Sequence, residues 1–238
     1  MFSLPEKYKK DKHISIKPFL NETLSASEKK RFKESIAEMS ILYQIEGFDI
    51  PNLVNDDYHC EAIAFLDIKL TSMKAAAFVG NIVQKQVKML CVIRFRDGTD
   101  ECYCFAHKRL NKQNTTQIVV ENTYSTGCMP YAFDNQKKTL FSLYIDYGTI
   151  LNRNNKVCYY LEMMTKAFLI FNIELYSGTQ QLLDSKIWFD FDKTLSCYHF
   201  LVELKELKLS ATKTTTIAER SKINSQIKAV IKKLEDLQ

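Results

Sequence analysis

The sequence contains few of the residues that form flexible linkers and tight turns. Its 238 residues include only 6 Gly and 4 Pro, which disfavours long linkers and a turn-rich all-β architecture. Little glycine is left for a loop that cradles phosphate, and the Walker A, Rossmann, G-x-S-x-G and H-E-x-x-H patterns are all absent. The enzyme classes that depend on these motifs are therefore not indicated, and no cofactor is expected.

The sequence also lacks an uninterrupted apolar segment of membrane-spanning length. The N-terminal stretch MFSLPEKYKK contains no apolar core, so we expect no secretory signal. The most apolar run, residues 158–176, is interrupted by Glu162, Lys166 and further polar residues, which predicts a buried helix. The 7 cysteines are irregularly spaced, as is typical of reduced thiols. We therefore expect a cytoplasmic protein with no bound metal.

What the sequence does contain is a regular series of local folding signals. Ser25 and Glu28 have the spacing of a capping box, and apolar residues then recur at helical intervals, so we expect a helix over about 26–44. Residues 60–70 predict a strand. Because apolar residues occupy both of its faces, we expect this strand to lie inside a sheet.

The signals that follow indicate the fold class. A helix is expected over 72–87, then a hairpin turning at Asp97-Gly98, and residues 140–150 predict a strand followed by a turn into a helix. Helices that alternate with strands in this way predict an α/β or α+β fold, with a mixed β-sheet and packed helices. We expect this domain to cover about residues 1–190.

The remaining residues, 191–238, predict a C-terminal helical hairpin. Apolar residues of the second helix recur at alternating intervals of four and three, the spacing of a coiled-coil seam. Phe200, Leu204 and Leu207 of the first helix are available to pack against it. The seam could instead pair with a partner protein or with a second copy of the chain. The seam residues that we predict to bind a partner are Ile223, Ile227, Val230 and Leu234.

The hairpin is also strongly basic. Between Lys205 and Lys233 there are 8 Lys and Arg against 2 acidic residues, a charge of +6 (8 − 2) beside +5 for the whole chain. Such a surface favours contact with an acidic partner or the DNA backbone. The alternative is a coiled-coil surface kept soluble by its charge, which the spread of the lysines around the helix favours. The predicted contact residues are Lys222, Lys228, Lys232 and Lys233.

The stretch AFLDIKL, residues 64–70, contains half of a metal-dependent nuclease signature. Such sites use one acid, then a second acid and a lysine two residues apart, to hold a divalent metal such as Mg²⁺ and to position water. Asp67 and Lys69 match the second half. The alternative is an ordinary strand end at which both side chains meet solvent. The first acid would come from Asp49, or from Asp56 and Asp57, and Glu34 or Glu38 of the preceding helix could add a ligand.

Several segments resemble, in the same order, a bacterial and archaeal family of unknown function. These segments are MFSLP, HISIKPFL, EKKRFKESIAEMSILYQI, EAIAFLDIKL, IVQKQVKMLCVIRF, SLYIDY and ERSKINSQIKAVIKKLEDL. The family is DUF4391, and the resemblance extends over nearly the whole chain. It implies a soluble cytoplasmic protein, of a kind often encoded beside DNA helicases and DNA methyltransferases in restriction or phage-defence clusters.

The resemblance supplies no catalytic residues for this sequence. It implies an acid at Asp67 but not reliably a lysine at Lys69, which weakens the nuclease interpretation. Our main expectation is therefore a non-catalytic accessory subunit of a bacterial restriction or phage-defence system. Its hairpin would bind a helicase or methyltransferase partner and could also contact DNA. A homo-oligomeric scaffold and a Mg²⁺-dependent nuclease are the alternatives.

Overall fold

A mixed sheet of seven strands organises the first part of the chain. The computed structural model describes all 238 residues, which divide into two compact units, Met1–Tyr160 and Leu161–Gln238. The strands are β1 (Lys9–His13), β2 (Ile36–Ile45), β3 (Leu53–Val54), β4 (His59–Cys60), β5 (Ile63–Leu70), β6 (Leu90–Arg96), β7 (Asp100–Asn111), β8 (Asn114–Ser125) and β9 (Met129–Pro130). The helices are α1 (Ala26–Ser35), α2 (Ala76–Gln86), α3 (Gln136–Tyr144), α4 (Lys156–Phe171), α5 (Thr179–Leu183), α6 (Phe191–Lys213) and α7 (Ile217–Asp236).

The sheet is antiparallel except at its centre. Its strand order is β1-β2-β5-β6-β7-β8, with β9 paired to β7, and only β5 and β6 run parallel to each other. Parallel neighbours need a crossover connection, which the helix α2 provides. The strands β3 and β4 form a separate two-stranded sheet. The mixed sheet and its packed helices confirm the predicted α+β class.

The predicted helix over 26–44 is wrong in its second half. The capping box forms as expected, since the Ser25 side chain accepts from the Glu28 backbone and the Glu28 carboxylate accepts from the Ser25 backbone. However, α1 ends at Ser35 and β2 begins at the next residue. Pairing of β2 with β1 on one side and β5 on the other satisfies its backbone groups in the sheet instead.

Two irregularities in β2 explain why its sequence has helical spacing. The register of β2 against β5 shifts between Ile36 and Glu38, and again between Ile41 and Tyr43. A bulge of this kind inserts an extra residue, so that buried positions no longer alternate strictly along the strand. Ile36 and Met39 are consequently both buried although they are three residues apart, a spacing that a helix also produces.

The other local predictions for the first unit have mixed outcomes. The strand over 60–70 is confirmed as β5, which lies between β2 and β6. The hairpin turn is also confirmed, and Gly98 adopts a φ of +102° that favours glycine there. The strand predicted over 140–150 is wrong, because α3 occupies its first half and begins after Asn135, whose side chain accepts from two backbone amides.

One face of the sheet packs on α1 and α2 and forms an apolar core. Leu66 and Ile68 of β5 belong to this core, since alternate residues of a strand share a face. Gly80 of α2 lies against the sheet, where an added Cβ would be 2.9 Å from Cys104 Sγ and 3.4 Å from the Phe95 ring. The close approach of helix and sheet therefore depends on the missing side chain.

The second unit contains the predicted helical hairpin. The helices α6 and α7 pack together, and residues 214–216 join them. Leu204 of α6 and Val230 and Leu234 of α7 are buried, as a closed seam requires. None of the helices has the length and apolar character needed to cross a membrane. The domain boundary expected near residue 190 stays a prediction.

The substitution Gly80→Val should destabilise the protein by about 1–3 kcal/mol, because the added side chain would overpack the contact between α2 and the sheet. The control is Ala77→Val on the exposed side of the same helix, which should cost about 0.6 kcal/mol through helix propensity alone. Urea unfolding of the two variants compares these costs. Equal midpoints would show that Gly80 is not required for packing.

Candidate functional site

The acid of the sequence AFLDIKL lies inside the sheet. Asp67 is only 5% exposed, whereas an ordinary strand end would place its carboxylate in solvent. Parallel pairing places Asp67 of β5 beside Arg94 of β6, and Lys69 beside Arg96. Lys69 itself is exposed. The two residues of the predicted nuclease tripeptide therefore have different environments.

Two arginines hold the Asp67 carboxylate. The Nε of Arg94 donates to Asp67 Oδ1 at 2.7 Å, and the Nε of Arg96 donates to Oδ2 at 2.8 Å. The arginines are two residues apart on β6 and so lie on one face of the sheet. Burial disfavours the charge on Arg94, but the attraction and hydrogen bond of Asp67 outweigh it and raise the pKa of that guanidinium.

Only the Nε atom of each guanidinium group donates a hydrogen bond to Asp67. The Nη atoms of Arg94 and Arg96 make no hydrogen bond within the protein, and Glu38 Oε2 lies 3.9 Å from Nη2 of Arg96. The Tyr131 ring lies near both groups, with its centroid 5.8 Å from Cζ of Arg94 and 6.0 Å from Cζ of Arg96. The side chains of the arginines are 16% and 23% exposed, so solvent reaches this end of the cluster.

This arrangement gives the nuclease hypothesis no support. A metal would need carboxylate oxygens of Asp67, and both already accept from arginine. Of the candidate first acids, Asp49 pairs with Lys7 and accepts from Tyr8, and Asp57 pairs with Lys112 at 3.5 Å. Glu38, the candidate for an added ligand, faces Lys69 across the β2–β5 pair.

Sequence reasoning missed both arginines. The signal was the pattern VIRFR in a strand, which places Arg94 and Arg96 on one face between apolar residues. A strand inside a sheet cannot bury two unpaired charges at low cost, so this pattern required an acid on the neighbouring strand. Asp67 is that acid, and its position after four apolar residues of β5 pointed to the same conclusion.

The predicted residues of the hairpin fall into a buried set and an exposed set. Val230 and Leu234 are buried and Ile223 and Ile227 are half-buried, so the seam is closed at Val230 and Leu234 and partly exposed further along α7. The predicted lysines are all exposed, and the ammonium group of Lys233 lies 5.2 Å from the Phe200 ring centroid. The exposed residues are Lys222, Lys228, Lys232 and Lys233.

A cleft of about 810 Å³ lies elsewhere in the first unit and involves none of the predicted site residues. It contains the pair His59 and Glu61, whose Nε2 and Oε1 are 3.5 Å apart. Its mixed lining offers both acids and a lysine, which indicates no single class of ligand. The residues lining it include Gln44, Glu46, Asn52, Lys88, Met89 and Thr116.

The substitution Asp67→Asn should lower the free energy of unfolding by about 2–4 kcal/mol, because it leaves two largely buried guanidinium groups without a counter-charge. The control is Glu38→Gln, which removes an exposed acid 3.9 Å from Arg96 and should cost about 0.5 kcal/mol or less. Urea unfolding measures both. Similar costs for the two variants would contradict a structural role for Asp67.

Comparison with known proteins identifies a family but no activity. The model of a domain of unknown function, DUF4391, matches residues 2–234. No curated protein matches the chain, and no solved structure matches it. Because the match covers nearly the full length, the chain belongs to the DUF4391 family, as its sequence segments predicted.

Proposed function

We propose that the protein is a non-catalytic accessory subunit of a restriction or phage-defence system. Its C-terminal hairpin binds an acidic surface of a DNA-acting partner, a helicase or a methyltransferase. The observation that carries this proposal is the exposure of the outer part of the hairpin. No residue from Lys205 to Ala229 is buried, although both helices are fully formed there.

The exposed part of the hairpin combines apolar side chains with positive charge. Leu209 of α6 is 52% exposed and Ile217 at the start of α7 is 90% exposed. Both residues belong to the range from Lys205 to Lys233, which carries a net charge of +6. Apolar contacts supply affinity and a charged rim selects the partner, so an acidic surface is complementary to this arm.

The burial of part of the seam supports a different protein, and not a second copy of this chain, as the partner of the hairpin. Leu204 and Leu234 are fully buried within the second unit, so this part of the seam needs no second chain to cover it. The lysines remain at the surface and repel an identical basic arm. A homo-oligomeric scaffold that pairs through the seam therefore receives no support from this geometry.

The arrangement around Asp67 supports the non-catalytic part of the proposal. Its carboxylate is engaged by Arg94 and Arg96, and these ion pairs explain why an acid is present inside the sheet. A structural role therefore accounts for the presence of Asp67 without a catalytic function. Lys69 is exposed and is not needed for this role.

The combined variant Lys222→Glu, Lys228→Glu and Lys232→Glu should weaken partner binding about tenfold or more, since each exposed ion pair contributes about 0.2–1 kcal/mol. The matched control is Lys12→Glu, Lys33→Glu and Lys85→Glu, which changes the charge equally on exposed residues of the first unit. The measurement is affinity capture from the native host, followed by titration with the purified partner.

The proposal requires that a helicase or methyltransferase is captured by the wild-type chain and the control variant and is lost with the hairpin variant. Equal capture by all three proteins would contradict it. A hairpin variant that retains the protein partner but loses duplex DNA in low salt would show that the arm binds DNA, and would also overturn the proposal.

Incubation of the purified protein with Mg²⁺ and linear DNA should give no cleavage, because both oxygens of Asp67 are occupied by arginine. Lys69→Ala is the diagnostic variant, since the side chain is exposed and its loss should leave folding unchanged. Cleavage by the wild-type protein that disappears in this variant would establish the nuclease and remove the accessory role.

A further inference from the structure

The Asp67 cluster contains two guanidinium groups that are held in place but use only part of their hydrogen-bonding capacity. Each arginine is fixed through Nε, and its Nη atoms make no hydrogen bond within the protein. A guanidinium group recognises phosphate through adjacent N–H groups in a planar fork. Because Asp67 positions both forks beforehand, an anion would bind without first ordering two flexible side chains.

One aromatic side chain lies beside these forks, and a second follows it closely in the sequence. Tyr131 is 37% exposed and its ring approaches both guanidinium groups, while Phe133, two residues further on, is 73% exposed. The backbone of Tyr131 is held at both ends, since its amide donates to the Thr99 carbonyl at 2.8 Å and its carbonyl accepts from Lys138 Nζ at 2.6 Å. The rings of Phe133 and Tyr131 are both exposed, so they provide aromatic surface on which a base could stack and which is not part of the core.

Two of the acidic groups around this surface already have cationic partners. Glu101 is buried but forms its own pair with Lys138, at 3.1 Å between Oε1 and Nζ. Asp67 is already satisfied by the two Nε donors. Glu38 is exposed and lies 3.9 Å from Arg96 Nη2, so it competes with an anion for that group. Asp134, which follows Phe133, is exposed as well.

We propose that this surface of the first unit binds single-stranded nucleic acid. A backbone phosphate is held by the Nη groups of Arg94 and Arg96, and neighbouring bases stack on Tyr131 and Phe133. Phosphate contact beside aromatic rings is the combination that proteins use for single strands, because every base has a face that can stack. The site is separate from the hairpin and goes beyond the proposed protein–protein role, adding a nucleic-acid contact in the first unit.

The test is fluorescence anisotropy with a labelled single-stranded DNA of about twelve nucleotides at low salt. Phe133→Ala should weaken binding about tenfold, since it removes one stacking surface from an exposed position and leaves folding intact. Arg96→Gln should weaken binding and make it less dependent on salt. Glu38→Gln should tighten binding, because it removes the competing acid. Arg31→Gln, on the exposed side of α1, changes the charge equally and should have no effect.

Three further samples distinguish the arginine and aromatic surface from the hairpin and from a duplex-binding site. The hairpin variant with three reversed lysines should still bind the oligonucleotide. The same sequence as RNA shows whether the sugar is read, and comparable binding of DNA and RNA supports recognition of phosphate and bases alone. A duplex of the same length should bind more weakly, because its bases cannot stack on the protein.

Several outcomes would overturn the proposal. The first is no binding of either single strand at low salt. The second is equal binding by Phe133→Ala, Arg96→Gln and the Arg31→Gln control. The third is an affinity that does not depend on oligonucleotide length and is abolished by millimolar inorganic phosphate, which would reveal an anion site without recognition of bases.

Discussion

The pairing of Asp67 with Arg94 and Arg96 is the interaction on which the first unit depends. A slip of one residue between β5 and β6 would place charged side chains on the opposite face, within the apolar core. It would leave charges there without their partners, at a cost of several kcal/mol. The ion pairs thus reinforce the register of β5 against β6, the one parallel pair in the sheet. Because β5 has apolar residues on both faces, hydrophobic contacts alone would define this register less well.

That register gives the sheet two chemically different faces. The face against α1 and α2 is apolar and close-packed, and Gly80 permits the helix to approach. The other face combines aromatic residues such as Tyr103 with the charged cluster, and Phe2 packs there on Tyr103 at 5.0 Å between ring centroids. The first face accounts for stability. The second has groups that stability alone does not require, and the proposed contact with nucleic acid would use them.

Much of the fold could be predicted where a signal is local. The capping box at Ser25, the turn at Gly98 and the seam of the hairpin each depend on residues close in sequence, and all were confirmed. The strand β2 was missed because bulges give Ile36 and Met39 a helical spacing. Its pairing with β1 and β5 involves distant residues, and such contacts override weak local preference.

The sequence by itself determined the family, the α+β class and the presence of a basic helical hairpin, because composition and short-range periodicity carry that information. Only the tertiary structure decided what Asp67 does. The tripeptide with Lys69 is the same whether its acid binds a metal or an arginine, and the difference lies in the residues that β6 brings beside it. Charges separated by 27 and 29 positions in the chain become neighbours only when the parallel pair forms, so their chemistry belongs to the fold and not to the motif.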